Sequence, residues 1–161
     1  MGIAHSTHIP VLLKVLRITS GPVLELGIGH YSTLILHYLC MDMNRILMSY
    51  DNNMKYINGF ISFSSDMHKI IYAEDWDEVD ILKPWSVAFI DHHPALRRGI
   101  DAGRLANCAE YVICHDSEPA GARIYGYNEI YPLFKYHWEY TKLKPYTKVL
   151  SNFHTLSELG G

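Results

Sequence analysis

Acidic and imidazole side chains recur just past short apolar runs in this chain of 161 residues. Asp91-His92-His93 follows the run from Trp85 to Ile90, and His115-Asp116 follows Tyr111 to Cys114. Asp91 and Asp116 are hard oxygen donors of the kind that hold Mg²⁺, with water and substrate oxygens completing an octahedron. Their alternative work is structural, capping the next helix or orienting a nearby histidine. A histidine among His92, His93 and His115 suits proton transfer near neutrality, since its reference pKa lies near 6.5. Another group is Glu25-Leu26-Gly27-Ile28-Gly29-His30-Tyr31-Ser32-Thr33. Its glycines let a strand turn sharply into a helix and let a ligand approach the backbone, while N–H groups at the helix start favour an anionic or polar group. Asp51 stands about 20 residues further on, where a carboxylate can accept hydrogen bonds from both ribose hydroxyls of a nucleoside. Its plainer role is to cap the segment after Asn53.

These residues need elements to bring them together. Ile9, Leu12, Leu13 and Leu16 fall at helical spacing, with Thr7 placed to cap and Pro10 inside the first turn. Val23 to Gly27 reads as a buried strand, followed by an apolar helix from about Ser32 to Met41 that is greasy on most sides, as a helix packed between layers would be. Further strands are expected from Arg45 to Tyr50, Lys69 to Ala73, Trp85 to Ile90 and Tyr111 to Cys114. They end at Asp51, Glu74, Asp91 and near Asp116. Between the last two, Leu96, Ile100 and Gly103 mark one face of a helix opened by Pro94, with Arg97, Arg98, Asp101 and Arg104 on a solvated charged side. Alternation of this kind implies an α/β three-layer sandwich around a mostly parallel sheet. Asp91 and Asp116 would then sit on adjacent strand ends, about 4.8 Å apart in the hydrogen-bonding direction. Past Ser117 the chain turns tyrosine-rich, and His137 to Leu143 with Thr147 to Asn152 form a candidate antiparallel edge hairpin around Lys144-Pro145. That aromatic segment suits edge packing first, with a pocket wall or a homodimer contact as alternatives. Ser157 to Gly161 reads as a frayed tail.

Composition narrows the functions. With 14 basic against 17 acidic residues the net charge is −3, which does not indicate nucleic acid or an anionic membrane surface as partner. No apolar run approaches the roughly 20 residues that span a bilayer, and residues 1 to 10 do not read as a secretory signal. Cys40, Cys108 and Cys114 lack metal-finger spacing and sit in apolar contexts, so a reducing, cytoplasmic setting is the expectation.

In order and spacing, Val23-Leu24-Glu25-Leu26-Gly27-Ile28-Gly29, Asp51, Glu74-Asp75-Trp76 and Phe89-Ile90-Asp91-His92 resemble the successive motifs of class I S-adenosylmethionine-dependent methyltransferases, a Rossmann-like superfamily. The resemblance covers about residues 7 to 152. It implies S-adenosylmethionine as cofactor, with Glu25, Gly27, Gly29 and Ser32 around its methionine portion, Asp51 at the ribose, and Asp75 with the Trp76 backbone at the adenine, approached by His92. Phe89-Ile90-Asp91-His92 and His115-Asp116-Ser117 look most like the metal-assisted O-methyltransferases, which implies Mg²⁺ on Asp91 and Asp116 and a small hydroxylated acceptor. Asp91, Asp116 and one of His92, His93 or His115 would handle that acceptor. The chain departs from the pattern in placing Tyr31 where the third glycine usually stands, and in carrying no inserted substrate module. The implied organisation is one domain: a helix over 7–19, a nucleotide-binding core over 22–118, the aromatic segment and hairpin over 119–152, and a tail over 153–161.

Three other readings compete. A dinucleotide dehydrogenase would need a glycine where Ser32 stands. A catalytically silent domain that binds an adenosyl ligand or a partner fits the same motifs. Asp91-His92-His93 also looks like the triplet of manganese-dependent phosphoesterases, but no upstream His-x-Asp-x-Asp run accompanies it.

Overall fold

The computed structural model describes residues 5–160. Five strands run parallel: β1 (Val23–Leu26), β2 (Leu47–Asp51), β3 (His68–Tyr72), β4 (Trp85–Ile90) and β5 (Ala109–His115). β6 (Tyr136–Tyr140) and β7 (Thr147–Ser151) are antiparallel and complete a sheet in the order β3-β2-β1-β4-β5-β7-β6. Because parallel strands bury both faces, each face needs a helical cover. On one side Val23, Leu47, Val87, Phe89 and Ile113 meet Leu12 and Leu16 of α1 (Ile9–Arg17) and Leu36 of α2 (Thr33–Asp42). On the other, Leu24, Ala88, Ile90, Val112 and Cys114 meet Ala102 of α4 (Arg97–Arg104) and Tyr127 and Ile130 of α6 (Tyr127–Ile130). Two short helices remain, α3 (Met54–Phe60) after β2 and α5 (Pro119–Ile124) after β5.

The strand order decides where a ligand can sit. From β1 the chain moves outward to β2 and β3, then returns to place β4 on the other side of β1 and moves outward again through β5. Connections leave β1 and β4 in opposite directions, which opens a crevice beyond their carboxyl ends. The α/β sandwich expected from the alternation is thus present, and Asp91 and Asp116 do follow neighbouring strands.

Several local expectations are corrected. Thr7 does not cap α1; His8 holds that position without a side-chain bond, and the Thr7 hydroxyl is spent elsewhere. α2 buries only Thr33, Leu36 and Cys40 and leaves Tyr38 62% exposed, so it has one covered face rather than two layers against it. β6 stops at Tyr140, short of Leu143, and residues 141–146 form the connection to β7. The tail is not frayed up to Gly160: Leu156 and Leu159 pack into the α1 side of the core, and Lys14 Nζ donates to the Leu159 carbonyl at 3.3 Å.

The largest departure is α4. Leu96 and Ile100 are 62% and 53% exposed, whereas Arg98 and Asp101 are buried. The inward side is built from small residues, with Gly99 lying against the Tyr125–Gly126 backbone and Gly103 against Ile130. That close approach carries the charged side chains of the same face inward, where they satisfy one another. Asp101 accepts Arg97 Nε at 2.8 Å and Nη2 at 2.9 Å, Arg104 Nη1 at 2.8 Å, and shares a hydrogen bond with His92 Nε2 at 2.9 Å. Burial works against the carboxylate's charge, but these partners prevail and hold its pKa down to about 2.

Removing the charge leaves two guanidinium groups facing a neutral amide. Asp101→Asn is expected to lower stability by roughly 3 kcal/mol in urea unfolding at neutral pH. Because the folded pKa lies below the ordinary 3.8, Asp101's contribution is full above that value and fades as pH falls through about 2, so the gap between the two proteins should narrow on acidification.

Candidate functional site

A cavity of about 720 Å³ lies over the crevice at the carboxyl ends of the strands. Gly27, Ile28, Gly29 and Ser32 line it from the turn after β1, Asp51 from β2, Asp91, His92 and His93 from β4, Arg98 from α4, and His115 and Asp116 from β5. Gly27 has a φ of +101°, and a Cβ there would come within 2.6 Å of the Asp91 carbonyl. Glycine is therefore required by the close passage of two backbone segments, independently of any ligand. A Cβ on Gly29 would meet only Ser32 Oγ, at 3.7 Å, so at that residue the turn stays open toward the cavity.

Glu25 is fully buried beneath this turn. Its carboxylate accepts from Ser32 Oγ at 2.6 Å, Thr33 Oγ1 at 2.9 Å and Ser49 Oγ at 2.6 Å. Burial raises its pKa to about 7 although the three hydroxyls pull the other way. Ser49 also contacts His68 Nε2 at 2.9 Å, and His68 Nδ1 contacts His37 Nδ1 at 2.9 Å. Since Ser49 donates to Glu25, it accepts from His68, which leaves His68 Nδ1 to accept from His37. Glu25, Gly27, Gly29 and Ser32 are thus gathered at one turn, but Glu25 is absent from the cavity lining and lies beneath the hydroxyl of Ser32.

Asp51 accepts the Ile28 N–H at 2.8 Å on one oxygen and the Asn53 N–H at 2.7 Å on the other. Capping of α3 falls to Asn53, whose side chain accepts from the Lys55 N–H at 3.0 Å. A carboxylate has about four acceptor positions, so each Asp51 oxygen retains one at the cavity wall. Burial raises its pKa, and the two N–H donors oppose the shift. Asp75 and Trp76 lie outside the lining. Asp75 turns onto the Asp77 N–H at 2.9 Å, while Trp76 stands behind the wall, its Nε1 donating to the His93 carbonyl at 2.8 Å and its ring 4.4 Å from His92.

Between Asp91 and Asp116 stands a guanidinium. Arg98 reaches Asp91 Oδ1 with Nη2 at 2.9 Å and Asp116 Oδ2 with Nη1 at 2.9 Å, and it donates through Nε to the His92 carbonyl at 2.8 Å. The Tyr125 ring lies 4.0 Å below it. A fixed cation thus occupies the place between Asp91 and Asp116 where the sequence put Mg²⁺, and the motif likeness to metal-assisted enzymes gains no support from the geometry. The Asp91-His92-His93 triplet does not converge either, since the His92 ring is fully buried against Asp101.

His115 is more constrained. The Thr7 hydroxyl donates to the Pro145 carbonyl at 2.8 Å, so at 3.1 Å from His115 Nε2 it can only accept. Nε2 therefore carries a proton. Nδ1 faces Asp91 Oδ1 at 3.3 Å and Asp116 Oδ1 at 3.5 Å. Desolvation opposes a charged ring, but Asp91 and Asp116 outweigh it and the pKa is raised. His8 is buried and lines the cavity. The inward placement of His8 and Arg98 depends on which helix face meets the strand ends, which spacing along one segment does not decide.

No protein-family model and no curated protein matches the sequence. Solved structures do match in shape. Human methyltransferase-like protein 13 in complex with S-adenosylhomocysteine superposes with a TM-score of 0.66 at 13% identity, covering 98% of this chain and 88% of that one. The fold is the Rossmann-like fold of methyltransferases. The METTL16 methyltransferase domain aligns at a TM-score of 0.62 and 10% identity over 94% of this chain and 68% of its own. A Pyrococcus furiosus methyltransferase aligns at 0.56 and 11% identity, covering 92% and 84%.

Glu25 provides a measurable handle on the turn. A carboxyl whose pKa rises from 4.5 to about 7 on folding makes the folded state bind more protons between those values, so stability falls as pH rises through that window. Glu25→Gln should remove this decline, which amounts to something on the order of 3 kcal/mol, as followed by chemical unfolding at several pH values.

Proposed function

We propose that this chain binds S-adenosylmethionine across the carboxyl ends of β1, β2 and β4 and transfers its methyl group to a hydroxyl of a small acceptor. The observation that carries the reading is Asp51: a carboxylate fixed by two backbone N–H groups at the wall of a cavity that lies over the switch point of the strand order. The two remaining acceptor positions suit the adjacent hydroxyls of a ribose. The cavity falls in the roughly 300–1,000 Å³ range of small-molecule sites. Gly27, Gly29 and Ser32 would hold the methionine portion, with Glu25 positioning Ser32. His92 and His93 would border the adenine, backed by Trp76, with Asp75 and Asp91 at the edges of that region.

Methyl transfer asks little covalent help, since the sulfonium is already activated. The acceptor oxygen attacks the methyl carbon as the carbon–sulfur bond breaks, and S-adenosylhomocysteine leaves. The protein must align the acceptor and take its proton. Asp91 and Asp116, partly exposed and tied to Arg98, would receive the hydroxyl, with His115 beside them. A binding-only protein is the second reading, favoured by one observation: His92, His115 and both carboxylates already have partners within the protein.

Ligand that binds only the folded state raises the melting temperature. At about 100 times the dissociation constant, S-adenosylmethionine or S-adenosylhomocysteine should raise it by roughly 5–10 °C. Asp51→Asn should lose most of that shift, and absence of any shift in the parent protein sinks the reading. With a hydroxylated acceptor library, labelled methyl transfer that disappears in Asp116→Asn while the thermal shift persists supports catalysis. A persistent shift with no labelled product selects binding alone.

A further inference from the structure

His8 is an anomaly among the cavity residues. It is 1% exposed and lines the cavity, and among the described residues neither ring nitrogen has a hydrogen-bond partner. An unprotonated imidazole nitrogen at this place offers a lone pair to an ion. A buried polar group left without a partner is costly unless water or an ion meets it. The ring is held in place by Phe89, with centroids 4.8 Å apart, and stands edge-on to His115 at 4.7 Å.

Around it the donors converge. One ligand atom from each of His8, Asp91 and His115 lies within 4.8 Å of the other two. The neighbouring formal charges are two carboxylates, Asp91 and Asp116, against one guanidinium, Arg98. We propose that His8, Asp91 and His115 form a binding site for a divalent d-block cation of the zinc class at the wall of the cavity, separate from the place Arg98 fills. Two imidazoles and one carboxylate select zinc, cobalt or manganese over Mg²⁺, which prefers oxygen donors and retains its water. Ligands about 2.1 Å from zinc stand about 3.4 Å apart, so the three side chains need to close by little more than 1 Å. Asp91 meets the ion while keeping Arg98, because each of its oxygens offers two lone pairs. Three protein ligands leave a coordination position open toward the cavity. On the methyltransferase reading, an acceptor oxygen or nitrogen would fill it, but cation binding itself does not depend on that reading.

The test uses the full chain, freed of metal by a chelator, with no cofactor or acceptor. Zn²⁺ titrated in a calorimeter should bind at one equivalent, and Co²⁺ should develop visible absorption of a low-symmetry nitrogen and oxygen site, while Mg²⁺ does neither. His115→Gln and Asp91→Asn should each weaken Zn²⁺ binding by about 100-fold, whereas His154→Gln, paired with Glu110 away from the cavity, leaves it unchanged. In the parent protein, Zn²⁺ should move the ring ¹⁵N resonances of His8 and His115. That measurement serves even where His8→Phe fails to fold. The proposal is overturned by no stoichiometric binding to the folded parent, by shifts confined to other histidines, or by undiminished binding in folded His115→Gln and Asp91→Asn.

Discussion

The crest of the sheet is organised around a buried cation. Two strands that end side by side in a parallel sheet bring their terminal carboxylates together, and like charges in a poorly solvated place repel strongly. Arg98 resolves this by placing one planar donor fork between Asp91 and Asp116 and a further donor on the His92 carbonyl. The guanidinium in turn must be carried there by a helix that approaches closely. Gly99 permits that approach, since a side chain at that position would collide with the Tyr125–Gly126 backbone. The small inner face of α4 and the charged residues it delivers are therefore one arrangement, and Asp101 completes it by gathering Arg97, Arg104 and His92.

A second buried charge organises the turn after β1. Glu25 binds hydroxyls from the start of α2 and from β2, so it joins the two elements that flank the turn. Its cost is burial, visible in the raised pKa, and its return is a fixed path for the backbone between Gly27 and Thr33. The same carboxylate ends a chain of hydrogen bonds through Ser49 and His68 to His37 at the edge of α2, so its protonation is connected to a less buried group.

The aromatic C-terminal third closes the site from the β5 side. Tyr127 is fully buried and its hydroxyl donates to the His115 carbonyl at 3.0 Å, while Tyr125 supports the Arg98 guanidinium. The connection between β6 and β7 is held by the Ser117 N–H on the Tyr146 carbonyl and by Glu118 on the Tyr146 N–H. Thr7 then ties the start of the described chain to Pro145, and this pins the orientation of His115. Local aromatic density in the sequence thus becomes support for the site as well as edge packing.

The alternation of apolar runs with helical patterns was enough to determine the sandwich, the adjacency of Asp91 and Asp116, and the turn that gathers Gly27, Gly29 and Ser32, because these follow from strand period and chain order. The position of Asp51 at the end of β2 was legible for the same reason. What each polar side chain faces was not. Helical spacing put Leu96 and Ile100 inside and Arg98 outside, yet close packing through Gly99 and Ala102 reversed the helix, and a satisfied ionic network made the reversal affordable. Thr7 looked like a helix cap, and only the docking of α1 against Phe89 and His115 brought Thr7 onto the His115 ring and His8 to the cavity wall. Periodicity along one segment fixes where a chain turns, whereas the partners of a charge or an imidazole are supplied by segments far apart in sequence, and only tertiary packing selects them.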